Sequence, residues 1–189
     1  MASLTAHAQI NDLLLQIRWK NSLVRTVEGE VQRDLVKNGK ETVQDGRFYY
    51  RFPNEFATYL ESGELFIINE NYLKADLGSI RGRFKRSNKK MNSLCNIFLY
   101  GFQGSCQAFA DENNYSIDIE QEATQYKVTM TSRKKPLLGI GFRQIILIYG
   151  LDDMLLKGIT IINYNGGIDT YTISNPNYDV AVDDDKFKI

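Results

Sequence analysis

Gly46-Arg-Phe-Tyr-Tyr-Arg-Phe-Pro-Asn-Glu-Phe56 is the stretch from which the rest of the chain can be read. Alternate side chains of a pleated strand face opposite ways, so Phe48, Tyr50 and Phe52 share one face while Arg47, Tyr49 and Arg51 take the other. One face is therefore wholly aromatic, and Pro53-Asn54 ends the run with a turn. The strand predicted over Glu41 to Phe52 is followed by runs at Glu55 to Leu60, Glu64 to Asn69 and Tyr72 to Leu77. Short turn signals at Ser62-Gly63 and Glu70-Asn71 separate them, which is the pattern of an antiparallel meander. Phe56 and Leu60, then Phe66 and Ile68, extend the aromatic surface across the next two strands.

Toward the N-terminus, Lys37-Asn-Gly-Lys40 supplies the positive φ angles of a tight hairpin. Before it, Leu23, Val27, Val31 and Leu35 fall on one side of a strand, with Thr26, Glu28, Glu30 and Gln32 on the other. Ser3 to Lys20, free of Gly and Pro and with Leu4, Ala8, Leu14 and Leu15 near helical spacing, predicts an opening helix. Toward the C-terminus, Arg81 to Lys90 reads as a solvated basic linker. Met91 to Phe102 then places Leu94, Phe98 and Phe102 four residues apart, a helical stripe. Strands resume at Tyr115 to Glu120, Tyr126 to Thr131, Phe142 to Tyr149, Leu155 to Tyr164 and Thr170 to Asn175. This is one domain over residues 1–189, α+β but mainly β. It has too few helices to cover both faces of its sheet, so the sheet must curl or use the insert to cover one concave face.

Composition removes several classes of function. Lys plus Arg equals Asp plus Glu at 23 each, so no net field draws the chain to nucleic acid. His7 is the only histidine, there is no Gly-x-Ser-x-Gly element, and Leu138-Gly-Ile-Gly141 lacks the lysine and context of a phosphate loop; an enzyme is not expected. Asp152-Asp153 and Asp183-Asp-Asp185 lack calcium-loop spacing, so neither a metal nor a cofactor is expected. Arg133-Lys-Lys135 reads as a charged turn. Cys95 and Cys106 either pair, if their Cα atoms come within about 7 Å, or stay as two buried thiols.

Gly46 to Phe56 also resembles the Gly, strand, Arg-Pro-Asn-x-Phe signature of the LolA family of outer-membrane lipoprotein carriers. Asp152-Asp-Met-Leu-Leu-Lys-Gly158, Gly167-Ile-Asp-Thr-Tyr-Thr-Ile173 and Val182-Asp-Asp-Asp-Lys-Phe187 are similar to that family's closing strands. The resemblance implies a curved, incompletely closed antiparallel β half-barrel with an N-terminal helix and a helical insert over the concave face. It further implies a periplasmic protein, its signal peptide removed, that is monomeric and carries lipoprotein acyl chains or another lipid between a membrane-protein donor and acceptor. The apolar cavity is then expected between the sheet residues Phe48, Tyr50, Phe52, Phe56, Leu60, Phe66 and Ile68 and a cover of Leu94, Phe98 and Phe102, with the basic linker letting the cover swing.

One position departs from the family. Where typical carriers place an arginine just before the signature proline, reaching into the cavity as a polar latch, this chain has Phe52, and Arg51 points to the opposite face. Either Phe52 closes the cavity by packing on Phe98 or Phe102, or the cargo and partner differ. The alternative expectation is an envelope sensor or interaction module on the same fold, binding a protein segment in the concavity.

Overall fold

Asn38 and Gly39 both adopt positive φ, 53° and 72°, and turn the first long strand back on the second with Lys37 paired to Lys40. This hairpin is central to the sheet. The computed structural model describes residues 2–77, 80–134 and 141–189, with side chains from residue 9 onward. The His7 side chain, Lys135 of the charged turn and residues 138–140 of the Leu138–Gly141 stretch lie outside the described residues.

Helix α1 (Ala2–Ser22) leads into β1 (Thr26–Lys37), β2 (Lys40–Arg51), β3 (Glu55–Leu60), β4 (Leu65–Ile68), β5 (Tyr72–Leu77) and β6 (Ile80–Lys85). Helices α2 (Lys89–Gln103) and α3 (Cys106–Asn113) then cross to the far edge, where β7 (Tyr115–Gln121), β8 (Gln125–Ser132), β9 (Phe142–Gly150), β10 (Leu156–Asn163) and β11 (Ile168–Tyr178) run back to the centre. The result is one antiparallel sheet of eleven strands in the order β6-β5-β4-β3-β2-β1-β11-β10-β9-β8-β7. Its edges, β6 and β7, are not bonded to each other, so the barrel stays open and α2 with α3 lies across the concave side. Among the described residues no helix is long and apolar enough to cross a membrane.

Period-two patterning builds the concave core. Val27 and Val31 of β1, Phe48 and Tyr50 of β2, Phe56 and Leu60 of β3, and Phe66 and Ile68 of β4 are all buried in one cluster with α2. Gly29 is required opposite Phe48, because a Cβ there would come within 2.8 Å of the Phe48 ring. A second, smaller core lies on the convex side. There Phe187, in a 3-10 turn over Asp184–Phe187, packs on Tyr49, Ala57 and Ile67. Arg51 points to this side, as its place in the pleat requires, where it pairs with Glu55 and Asp184 and lies 4.9 Å from the Phe187 ring centre.

One expectation is corrected and one element is added. Arg81 to Lys90 is not a flexible linker: its first half is the edge strand β6, and only residues 86–88 connect it to α2. Arg81 and Arg83 sit on the outer face, one paired with Asp76 at 2.9 Å and the other 3.9 Å above the Tyr72 ring, while Phe84 packs inward. Dense charge on an exposed edge strand opposes further strand pairing and is compatible with full order. Arg86 also ties the connection down, donating to the Asn69 carbonyl at 3.3 Å and to Asn92 and Asn96. A swinging hinge is therefore not built into this segment. Helix α3, which no sequence reading announced, follows the predicted insert and packs Cys106, Phe109 and Ala110 into the core.

Candidate functional site

Helix α2 holds the site, and its two halves meet the sheet differently. Asn88 caps it, accepting from the Lys90 and Met91 amides, and Gly104 ends it at φ 63°. Gly104 is doubly constrained, since a Cβ there would also lie 2.8 Å from the Ile17 carbonyl of α1. Helix α1 thus crosses tightly over the C-terminal end of α2 and shuts that end of the concavity; Leu14 and Ile17 are buried there, and Asn21 Nδ2 donates to the Met154 carbonyl at 2.8 Å.

Under the C-terminal half of α2 the aromatic face is filled. Phe102 stacks on Tyr50 at 4.7 Å between ring centres and on Phe48 at 5.5 Å. Phe98 stacks on Phe56 at 4.9 Å and meets Phe66 at 5.0 Å and Tyr171 edge-on at 5.1 Å. Offset stacks and edge contacts at these separations are the favoured aromatic geometries, so this half is well-packed core. Phe48, Tyr50, Phe56, Leu60, Ile68 and Phe102 are buried in this core and are absent from the lining of the cavity under the other half of the helix.

Under the N-terminal half a cavity of about 350 Å³ remains between α2 and strands β1, β10 and β11. Its apolar lining includes Leu35, Phe66, Leu77, Met91, Leu94, Phe98, Phe142 and Ile161. Of the residues expected to form a cavity, Phe66, Leu94 and Phe98 do line this one. Phe52 is the clear departure. Strand β2 ends at Arg51, so Phe52 lies in the turn beyond the pleat, is 37% exposed, and lies beneath the Arg25 guanidinium at 4.7 Å. It packs on neither Phe98 nor Phe102 among the aromatic contacts, and Tyr50 and Phe48 take that role instead.

An arginine does stand on the concave face, contributed by β1. Arg33, 4% exposed, donates through Nε and Nη2 to both carboxylate oxygens of Asp169 at 2.8 and 2.9 Å, and through Nη1 to Glu64 at 3.0 Å. Burial opposes its charge, but the bond to Asp169 and the neighbouring groups outweigh that, so the guanidinium is held more firmly protonated than usual. Arg33 forms part of the cavity wall with Asp169 and Tyr171. Its position was available from the alternation of Val27, Val31 and Leu35, whose face it must share, but its charge argues against a core position unless carboxylate partners are known.

Cys95 and Cys106 are free thiols, both buried. The two are not joined by a disulfide; Cys106 Sγ lies 3.4 Å from the Tyr149 hydroxyl, which itself donates to the Gly101 carbonyl. Burial pushes both thiols up to about 11, which leaves them poor nucleophiles near neutral pH.

The same shape recurs among solved structures. The chain superposes on MucB with TM-score 0.54 at 11% identity, covering 96% of this chain and 63% of MucB. An uncharacterized conserved protein from Thermus thermophilus matches with TM-score 0.52 at 12% identity, covering 93% and 91%. The LolA superfamily protein NE2245 from Nitrosomonas europaea aligns over 93% and 97% at 9% identity and TM-score 0.43. The fold is the one MucB and the Thermus protein share, at identities that establish the fold alone. No protein-family model matches the sequence, and no curated protein matches it either. The chain spans less than two thirds of the length of MucB.

Proposed function

We propose that this protein is a periplasmic carrier that shelters one acyl chain in the groove beneath the N-terminal half of α2, and that it performs no chemistry on it. The observation that carries this reading is the 350 Å³ cavity itself, walled by Leu35, Leu77, Leu94, Phe98 and Ile161 while the adjoining half of the same interface is packed solid. That volume is at the low end of the roughly 300–1,000 Å³ of small-molecule sites, which suits a single chain. Each methylene withdrawn from water contributes about 0.8 kcal/mol, so a long chain gains on the order of 10 kcal/mol before the cost of ordering it.

The same groove is poorly suited to an extended protein segment. The strands beneath its centre, β1, β10 and β11, are paired on both sides, and the edge strand beside it, β6, is lined with Arg81, Arg83 and Lys85, so a backbone lying across the floor would find no unpaired strand beneath it for its amides and carbonyls. A hydrocarbon brings no such groups. Delivery between a membrane donor and acceptor follows from this reading as the carrier's role.

The test is uptake of a fluorescent fatty acid by the purified chain. Saturable binding of one molecule per chain is expected, abolished in Leu35→Trp, where the indole fills the groove from β1, with the urea midpoint little changed. Absence of saturable uptake by the parent chain would overturn the proposal.

A further inference from the structure

The polarity of the groove runs in one direction, and the strand register shows which. Along β1 the inward series is Val31, Arg33, Leu35, Lys37. Tyr171 of β11 pairs with Arg33 and Asp169 with Leu35, while Asp169 also pairs with Ile161 of β10, beyond which Asn163 lines the cavity. The deep end is therefore Phe66, Phe98 and Tyr171, all buried. The outer end is Lys37 from the hairpin, Lys90 from the first turn of α2, and the amides Asn163 and Asn165. Lys37 and Lys90 approach from opposite walls, and neither has an ion pair among the described residues. The one carboxylate in the lining, Asp169, is deep and already held by Arg33.

We infer that the cargo is a single-chain amphiphile with an anionic head group, its tail lying along Leu94 toward Phe66 and Phe98 and its head between Lys37 and Lys90. This rests on the carrier reading above and adds the chemistry of the cargo. Both ammonium groups are exposed, so their contribution is modest and screened by salt; two such contacts correspond to roughly tenfold discrimination at low ionic strength.

The experiment compares two 14-carbon single-chain lipids with the same tail, a lysophosphatidic acid and a lysophosphatidylcholine, by calorimetric titration of the full chain below their micelle concentrations. The expected result is tighter binding of the anionic lipid, about tenfold, narrowing as salt is raised. Lys37→Gln with Lys90→Gln removes that preference, bringing the anionic lipid down to the affinity of the phosphocholine lipid and abolishing the salt dependence, and inorganic phosphate does not compete. Equal affinities for the two lipids, unchanged in the double variant, would sink the head-group assignment while leaving the carrier reading standing. Competition by inorganic phosphate would likewise overturn it, showing a site for free phosphate. If neither lipid binds, the carrier reading fails and takes the assignment with it.

Discussion

The two halves of α2 are parts of one helix lying on one sheet, yet one is core and the other roofs a cavity. The C-terminal half presents Phe98 and Phe102 to Phe48, Tyr50 and Phe56, large rings facing large rings, with α1 closing the end. The N-terminal half presents Met91 and Leu94 to strand ends whose inward residues shrink or turn polar, at Lys37, Asn163 and Gly167. Binary patterning is the same in both halves, and side-chain volume separates them. The helix thus anchors itself at one end with its own aromatics and leaves unfilled space at the other.

The largest effect that tests this contrast is truncation at the anchor. Phe102→Ala removes a buried ring that stacks on two others, and cavity formation at such sites costs about 3–5 kcal/mol. Urea denaturation is expected to show a loss of that size. Phe98→Asp is expected to unfold the chain, since Phe98 is part of the main core and not a detachable cover. If either substitution left stability unchanged and affected only uptake, the solid half would behave as cavity and the contrast would break.

Arg33 stands at the boundary, and its removal separates packing from charge. Breaking a fully buried ion pair by deleting one partner costs about 3–5 kcal/mol. Asp169 and Glu64 retain 18% and 24% exposure, so water recovers part of their hydration and about 2–3 kcal/mol is expected for Arg33→Met by urea denaturation. Arg33→Lys should recover only part of this, because an ammonium cannot present the fork that spans both carboxylates. Full rescue by lysine would mean that charge alone, without the bidentate geometry, holds the floor of the groove.

Much of this architecture was legible in the sequence, for physical reasons that also mark where legibility ends. The Asn38-Gly39 turn and the bounds of β3 and β5 could be read because positive φ and period two leave few alternatives. The strand β6 was hidden because Arg81, Arg83 and Lys85 dominate its composition while its inward residues, Ile80 and Phe84, are only two. The eight-residue α3 carries too short a stripe, Cys106, Phe109 and Ala110, to announce a helix. The aromatic face was correctly placed on the concave side through Phe48, Tyr50, Phe56 and Phe66, but alternation says which way a side chain points and nothing about what fills the space opposite. For that reason the sequence pointed to a cavity along the whole aromatic face, and the residues Leu35, Ile161 and Phe142 that line the groove under the N-terminal half of α2 went unnoticed.

The smallest expected effect lies inside the solid half. Thr58 faces the concave side between Phe48 and Phe66, fully buried, and its hydroxyl has no hydrogen-bond partner among the described residues. An unpartnered buried hydroxyl retains its desolvation cost of about 1–3 kcal/mol, and valine matches threonine in shape without it. Thr58→Val is therefore expected to stabilise the chain by about 1 kcal/mol in urea denaturation, with β-branching, and so strand preference, preserved. It should leave fatty-acid uptake unchanged, because Thr58 does not line the groove. A destabilising Thr58→Val would mean that the hydroxyl has a partner after all, such as a water held beneath Phe98, and that the packed half contains a polar pocket of its own.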